Sequence, residues 1–299
     1  MSSVEPSSTT ITSRSQPVCA RTLSIASSRY AARLYVVMAA VTSGTIDVYH
    51  TPRPALTREA SLYRPPSVKA VLSSAARLPM RYGAALRTAA RLKRRPPMTD
   101  AEALAWGQGL RWYHDELRVT QSREEIVWLL EKVRAERPRV VVEIGTDLGG
   151  TLFLWPYAAA EDALIVGVDR RPLGLLGRRS PYALVRRAFA RGRQRVDLLM
   201  PVDSHDARTV DRLRSRLAGR PIDFLFIDAD HSYEGVKRDF ELYSPLVRPG
   251  GIVGFHDVSG EAWPGVATFF SELTDRYESD ACTAATPPRY GIGIVRLPG

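Results

Sequence analysis

Five short apolar runs, each long enough for one β-strand, alternate with helical segments in the second two-thirds of this 299-residue chain. Buried runs rich in β-branched residues are typical of parallel strands that are covered on both faces. A further pair of short strands is expected near Ala281–Ala285 and Ile292–Val295. This alternation predicts an α/β fold with a doubly wound sheet. The five runs are Arg139–Ile144, Leu164–Val168, Val196–Met200, Phe224–Ile227 and Ile252–Phe255.

The run Phe224–Ile227 is followed by two carboxylates, a histidine and the start of a helix. Ligands of open parallel sheets bind beyond the carboxyl ends of the strands. Asp228, Asp230 and His231 are therefore expected to project into a binding crevice. Taken alone, the same residues could equally form a solvated loop.

A glycine-rich turn, Gly145–Thr151, joins the first strand to a helix. This order is typical of nucleotide-cofactor sites, because glycines let the backbone approach a ligand and a helix start offers free N–H groups. Asp147 takes the middle glycine position of the G-x-G-x-x-G pattern, so the turn alone is a weak signal.

Acidic and polar residues also follow the other strands. Asp169 follows the second strand, where an acid can accept hydrogen bonds from ribose hydroxyls, although a turn residue would look the same. Asp203 and Ser204 follow the third, where they could read an adenine edge or cap the next helix. His256 and Asp257 follow the fifth.

The positive charge of the chain lies in its N-terminal third. Residues 1–100 carry 15 Lys and Arg against 4 Asp and Glu, whereas the remainder carries 27 against 28. The pI of about 9.9 is therefore not a nucleic-acid signature of the whole protein. Residues 1–30 are predicted to be disordered, and residues 67–95 to be a solvated helix or tail rather than a basic helix on a membrane or nucleic acid.

Consecutive prolines at Pro96 and Pro97 mark a domain boundary, because they end a helix and extend the chain. We therefore predict a largely disordered basic extension over residues 1–97 and one folded domain over residues 98–299. The extension also resembles an organellar transit peptide, and a natural start at Met98 is a third alternative.

Cysteine content and hydropathy limit the cellular compartments in which the protein is expected. Cys19 and Cys282 give neither a disulfide framework nor a thiolate metal site, which suits a reducing compartment. No apolar run reaches membrane-spanning length. A cytoplasmic location is expected, with organellar import left open.

Together the motifs resemble the class I S-adenosylmethionine-dependent methyltransferases. Within that superfamily the chain looks most like the small-molecule O-methyltransferase branch, which includes macrocin-type sugar methyltransferases and cephalosporin-hydroxylase-like proteins. The resemblance runs from about residue 120 to the end and implies a Rossmann-like, seven-stranded sheet whose last strand is antiparallel. It is carried by residues 142–151, 168–169, 203–204, 226–235 and 248–258.

The resemblance also implies a set of cofactor contacts. The methionine end of S-adenosylmethionine would be lined from the glycine-rich turn, the ribose would contact Asp169, and the adenine would lie near Asp203 and Ser204. Asp228 is expected beside the cofactor as well. The residues expected at the methionine end are Glu143, Gly145, Thr146 and Gly149.

Some members of the branch bind Mg²⁺, and the matching positions here are Asp228, His256 and Asp257. His231 matches the position proposed as general base. His256 departs from the pattern, because a hard cation prefers oxygen ligands. This leaves Mn²⁺, Fe²⁺ or Zn²⁺ as alternatives, and also leaves open that Asp228 and Asp257 contact only cofactor and backbone.

The predicted function is S-adenosylmethionine-dependent O-methylation of a small molecule of sugar or secondary-metabolite type, assisted by a divalent cation, with Asp228 and His231 catalytic. The alternatives are an RNA-modifying or RNA-binding protein anchored by the basic N-terminal region, and a cofactor-binding pseudo-enzyme. Against RNA, the folded domain is nearly neutral and has no basic stripe with interleaved aromatics. The expected partner is a small-molecule acceptor, and the sequence leaves a homo-oligomer open. Acceptor specificity is expected in Arg170–Arg195, before Ser122 and in Glu261–Pro264.

Overall fold

The structure is a computed structural model that describes residues 77–112, 115–173, 176–283 and 290–299. The helices in these ranges are α1 (Leu78–Lys93), α2 (Asp100–Gly109), α3 (Arg123–Glu136), α4 (Gly150–Ala158), α5 (Pro181–Arg187), α6 (Ala207–Leu217), α7 (Tyr233–Tyr243) and α8 (Pro264–Thr274). The strands are β1 (Arg111–Trp112), β2 (Asp115–Glu116), β3 (Val140–Ile144), β4 (Leu164–Val168), β5 (Arg195–Leu199), β6 (Ile222–Ile227), β7 (Val247–His256), β8 (Glu278–Cys282) and β9 (Ile292–Arg296).

Seven of the strands form one sheet in the order β5-β4-β3-β6-β7-β9-β8. The pairs from β5 to β7 are parallel, whereas β9 runs antiparallel to both β7 and β8. The predicted seven-stranded sheet with an antiparallel last strand is confirmed. Because β4, β3, β6 and β7 are consecutive neighbours, the residues that follow them meet at one edge of the sheet.

Helices cover both faces of this sheet, as the buried strand pattern predicted. Along β3, the side chain of Val141 belongs to one buried cluster, and those of Val140 and Val142 belong to the other. Successive side chains of a strand point to opposite faces, so this split reflects two packed faces. The first cluster includes residues of α1 to α5, and the second includes residues of α6, α7 and α8.

The predicted boundary after Pro97 is wrong for the part of the extension that the structure describes. Helix α1 packs against α5 and buries Ala85, Thr88, Ala89 and Leu92. Beyond the helix, Arg95 donates from Nε to the Tyr157 hydroxyl at 2.8 Å. The many arginines of α1 made the helix look solvated, so the narrow buried stripe between them was not recognised in the sequence. The predictions of disorder for residues 1–30 and of a tail for residues before 77 lie outside the described residues.

No helix built from the described residues has both the length and the apolar composition that crossing a bilayer requires. This finding agrees with the absence of a long apolar run in the sequence.

Truncating Leu92 tests the docking of α1. Leu92→Ala is expected to lower the free energy of unfolding by about 2–5 kcal/mol, because this side chain is fully buried. Leu86→Ala on the same helix is the control, since Leu86 is 57% exposed and should change stability by about 0.5 kcal/mol or less. Urea unfolding measures both. Equal effects of the two variants would mean that α1 does not pack on the domain.

Candidate active site

A cleft of about 900 Å³ opens at the edge of the sheet where β3, β4, β6 and β7 end. This volume is typical of small-molecule and cofactor sites. Each of the four strand ends contributes polar residues to the lining: Gly145 and Thr146 after β3, Asp169 after β4, Asp228 and His231 after β6, and His256 with Asp257 at the end of β7.

The glycine-rich turn lies directly beneath the residues that follow β6. Gly145 has a φ of +85°, and a Cβ added there would come within 2.0 Å of the Asp228 carbonyl oxygen. The Gly145 amide donates to the Val168 carbonyl at 2.8 Å, and the Asp228 amide donates to the Ile144 carbonyl at 2.9 Å. A side chain at position 145 would therefore separate strand ends that the site needs in contact.

Asp169 fixes the shape of that turn. One carboxylate oxygen accepts hydrogen bonds from the Thr146 and Asp147 amides at 2.8 and 2.7 Å, and the other accepts from the Arg171 amide at 2.6 Å. Two amides of the glycine-rich turn are thus occupied by this side chain. Asp169 also lines the cleft, so the same carboxylate faces the binding space.

Some of the predicted cofactor residues lie behind the cleft surface. Glu143 is fully buried, and its carboxylate accepts a hydrogen bond from the Thr151 hydroxyl. Gly149 is the N-cap of α4, and its α-carbon faces Arg186. The Asp203 carboxylate accepts from the His205 amide at 3.0 Å, which leaves its neighbour Ser204 as the residue that lines the cleft.

Two carboxylates and two imidazoles form a cluster in the cleft. His231 Nε2 lies 2.9 Å from Asp257 Oδ2 and 3.6 Å from Asp228 Oδ1. His256 Nδ1 lies 3.2 Å from Asp257 Oδ1 and 3.4 Å from Asp228 Oδ1. Each carboxylate therefore contacts both rings, and Asp257 does so from a left-handed backbone conformation with a φ of +70°.

Donor atoms of Asp228, His231 and Asp257 all lie within 4.8 Å of one another. Two carboxylate oxygens and one imidazole nitrogen are a suitable donor set for a divalent cation. The sequence had expected His256 in this position and His231 beside it. In the structure both imidazoles contact both carboxylates, so the donor chemistry fits a cation with either ring as the nitrogen ligand.

Residues 142–258, which hold the glycine-rich turn and the whole Asp–His cluster, match a family model described as "Methyltransferase domain". The chain is similar to this family over that segment. The match agrees with the resemblance to methyltransferases that the sequence motifs carry.

Two curated proteins match parts of the chain. An uncharacterized protein, y4gI of Sinorhizobium fredii, is 30% identical over 177 residues, which are 56% of this chain and 18% of that protein. An uncharacterized protein of Acanthamoeba polyphaga mimivirus is 48% identical over 42 residues, which are 14% of this chain and 19% of that protein. The chain thus spans less than a fifth of the length of each of these relatives.

Solved structures with a similar fold include two O-methyltransferases. TomG from Streptomyces achromogenes, solved with SAM, is 18% identical and has a TM-score of 0.47, with 69% of this chain and 92% of TomG covered. The enzyme from Bacillus cereus, solved with SAH, is 18% identical and has a TM-score of 0.44, with coverages of 73% and 100%. The fold assignment rests on the strand order of this chain itself.

Electrostatic interactions within the Asp–His cluster favour protonated imidazoles beside ionised carboxylates. Hydrogen bonds that its ring donates to the Asp228 and Asp257 carboxylates raise the pKa of His231 to about 9. Burial lowers the pKa of His256, but the charge and hydrogen bonds of the same carboxylates outweigh burial and raise it to about 10. Burial opposes ionisation of Asp228 and Asp257 as well, yet the two imidazoles hold both carboxyl pKa values below their usual range.

Glu143 behaves in the opposite way. Burial raises the pKa of this carboxyl to about 8, and the neighbouring charges of Asp228 and Asp169 act in the same direction. The hydrogen bond from Thr151 offsets only part of this effect. Glu143 is therefore mostly protonated at neutral pH, in contrast to Asp228 and Asp257.

Three residues outside the matched segment, which motif analysis missed, also contact the cluster. Gln121 Nε2 donates to Asp228 Oδ2 at 2.9 Å. Trp263 stacks on His231 with ring centroids 4.6 Å apart, and Tyr290 stacks on His256 at 5.7 Å. All three line the cleft. The segment before Ser122 and the loop 261–264 had been expected to shape acceptor binding, which was the available signal for Gln121 and Trp263.

Proposed function

We propose that this chain is an S-adenosylmethionine-dependent methyltransferase that methylates a hydroxyl group of a small molecule. The observation that carries the proposal is the position of the Asp–His cluster. It shares one cleft with the Gly145 turn, inside the segment that matches the methyltransferase family model. A methyl donor and a group able to bind and deprotonate a hydroxyl are the two needs of this reaction.

The cleft offers a wall for each part of the donor. Gly145 and Thr146 would line its methionine end with Glu143 behind them, Asp169 would contact the ribose, and Asp203 with Ser204 would lie on the adenine side. Bound S-adenosylmethionine supplies a methyl group on a sulfonium sulfur. The residues of the chain then contribute mainly by aligning the acceptor hydroxyl with that methyl group, because positioning provides much of the rate in such displacements.

Asp228 and Asp257, together with His256 or His231, would hold a divalent cation, which supplies charge stabilisation to an alkoxide. The fit is supported by the spacing of the donor atoms, all within 4.8 Å for the set that includes His231. A nitrogen ligand favours Mn²⁺, Fe²⁺ or Zn²⁺ over Mg²⁺.

His231 is the proposed general base. Its ring lines the cleft, where Trp263 holds one face and Asp257 contacts Nε2. To accept the hydroxyl proton, the imidazole must first lose its own. Asp228 and Asp257 raise its pKa to about 9 when they hold no cation, so turnover measured with a chelator is expected to rise with pH up to that value.

Replacing His231 with alanine tests that role. We expect kcat to fall by roughly 10²- to 10⁴-fold, the usual contribution of a positioned base. The Kd for S-adenosylhomocysteine should change by about twofold or less, since the residues proposed to contact the cofactor are unchanged. Initial rates and calorimetry measure the two quantities. A large loss of cofactor affinity in His231→Ala would instead assign the residue to donor binding.

Methyl transfer itself is tested by incubating the full chain with methyl-labelled S-adenosylmethionine and a panel of hydroxylated sugars and phenols, with and without divalent cations. Formation of labelled product and S-adenosylhomocysteine supports the proposal. Tight binding of the donor without product from any acceptor would favour a cofactor-binding pseudo-enzyme. No binding of the donor would remove the proposal altogether.

The proposal includes a cytoplasmic location. It is supported by the small number of cysteines in the sequence and by the free thiol of Cys282. Fractionation of cells that express the tagged full chain tests it, and recovery of the protein from a membrane or organellar fraction would refute it.

A further inference from the structure

A second polar cluster lies under the Ser204 side of the cleft, away from the Asp–His cluster. Its centre is Asp239 of α7, whose side chain is fully buried. His205, in the loop between β5 and α6, places Nε2 3.4 Å from Asp239 Oδ1. Neither atom has a partner with hydrogen-bond geometry among the described residues, so the two side chains are in close polar contact without an aligned hydrogen bond.

The loop that carries His205 forms part of the cleft wall. Val202 and Ser204 line the cleft. The Val202 amide donates to the Asp169 carbonyl at 2.9 Å, which joins the loop to the end of β4. On the other side, the Tyr243 hydroxyl of α7 donates to the Ser204 carbonyl at 2.7 Å. The position of this wall therefore depends on α7.

A buried carboxylate is an unusual way to support a loop. Burial raises the pKa of Asp239 to about 6, and the neighbouring charge of Asp230 acts in the same direction. Ser204 and His205 oppose this effect. An ionised group away from water is costly unless it is paired, and an apolar side chain would fill the same space at lower cost. The residues that offset the cost for Asp239 both belong to the cleft-wall loop.

We infer that Asp239 is a positioning residue for the methyl donor, which acts through His205 and Ser204 to hold the wall on the adenine side of the cleft. This inference rests on the proposed function, because it assumes that an adenosyl group occupies the Ser204 side. Asp239 itself does not touch the donor. Its loss should weaken every ligand that carries adenosine and should leave the chemistry at the Asp–His cluster unchanged.

The test uses two probes, S-adenosylhomocysteine and adenosine, titrated by calorimetry into the full chain at neutral pH. Asp239→Asn is expected to raise both Kd values by the same factor, about tenfold. The KM for S-adenosylmethionine should rise similarly, while kcat stays within about twofold. Asp211→Asn is the matched control, because Asp211 is an aspartate of the neighbouring helix α6 with a side chain 72% exposed. It should bind both probes as the wild type does.

The variant His205→Gln tests whether Asp239 acts through its contact with His205. The His205 side chain is 31% exposed, so its replacement should disturb the fold less than a change at the buried Asp239. The double variant should lose no more affinity than Asp239→Asn alone, since both changes remove one interaction. If Asp239→Asn does not fold, His205→Gln carries the measurement. Unchanged affinity in a folded single variant, a fall in kcat without a change in KM, or additive losses would overturn the inference. Failure of the wild type to bind either probe would instead overturn the proposed function.

Discussion

Asp228→Asn is expected to reduce methyl transfer by about 10³-fold, the scale on which positioned acid–base groups act. Asn has nearly the same shape as Asp, so the strand end should keep its conformation. What is lost is the negative charge that faces His231 at 3.6 Å and His256 at 3.4 Å. The candidate cation site would also lose one of its two carboxylates.

Two measurements follow this variant. Initial rates at saturating donor give the loss in turnover, and NMR titration of the imidazole protons gives the two histidine pKa values. Both values should move down from about 9 and about 10 toward the ordinary 6.5 of histidine. This direction follows because Asp228 favours the protonated form of each ring.

Asp223→Asn is the control for position along the same strand. Asp223 lies at the opposite end of β6, where it accepts from the Arg139 and Val140 amides at 2.8 and 2.9 Å. Its replacement should lower stability but leave kcat per folded molecule within about twofold. An Asp228→Asn enzyme that keeps more than about a tenth of wild-type turnover would contradict a catalytic cluster centred on this residue.

Glu143→Gln is expected to remove the pH dependence of stability that this buried carboxyl creates. In the folded chain its pKa is about 8, against an ordinary value of 4.5. Between these values the folded chain holds a proton that the unfolded chain has released. The free energy of unfolding therefore falls as pH rises through this window, by about 4 to 5 kcal/mol for the full shift.

Glutamine stays neutral at every pH and can still accept from the Thr151 hydroxyl. We therefore expect Glu143→Gln to match the wild type near pH 5 and to exceed it by several kcal/mol near pH 9, to the order of magnitude of the linkage relation. Urea unfolding at both pH values measures the difference. His231 and His256 titrate in both proteins, so their contributions largely cancel in the difference between the two unfolding free energies. Parallel stability profiles for the two proteins would show that Glu143 is ionised in the fold.

Much of the fold follows from local sequence pattern. Runs such as Val140–Ile144 and Phe224–Ile227 are apolar and strand-length, and each leads through a turn into a helix. The order of the strands in the sheet does not follow from local pattern. The placement of β9 between β7 and β8 depends on contacts that no local pattern encodes. The family resemblance implied only the number of strands and the antiparallel direction of the last one.

Helix α1 shows where local reasoning fails. Its sequence, with arginines at several turns, is typical of a solvated helix. The stripe Ala85, Ala89 and Leu92 is buried only because α5, about ninety residues later, presents a matching surface. Small side chains carry little hydrophobic signal of their own, so the domain begins earlier than Pro97 suggested.

The residues of the candidate site also fall into those that the sequence predicted and those that it did not. The sequence alone predicted that four residues lie close together, because the ends of neighbouring parallel strands share one edge of a sheet. These residues are Asp228, His231, His256 and Asp257. Gln121 and Trp263 lie outside the motifs, and only their segments could be anticipated. Asp239 gave no signal at all, since an aspartate in a helix is usually exposed. Its burial arises from tertiary packing of α7 against the loop before α6.

Calorimetric titration of the full chain with S-adenosylhomocysteine, with Mg²⁺ and again with a chelator, tests most directly whether these strand ends form a methyl-donor site. We expect saturable binding of one molecule per chain in both conditions, because the residues expected to contact the donor, Asp228 apart, differ from the Asp–His donor set. Asp169→Ala should weaken that binding by at least about tenfold, or roughly 1.4 kcal/mol. Absence of saturable binding by the folded wild-type chain in both conditions would contradict a methyl-donor site at this edge of the sheet.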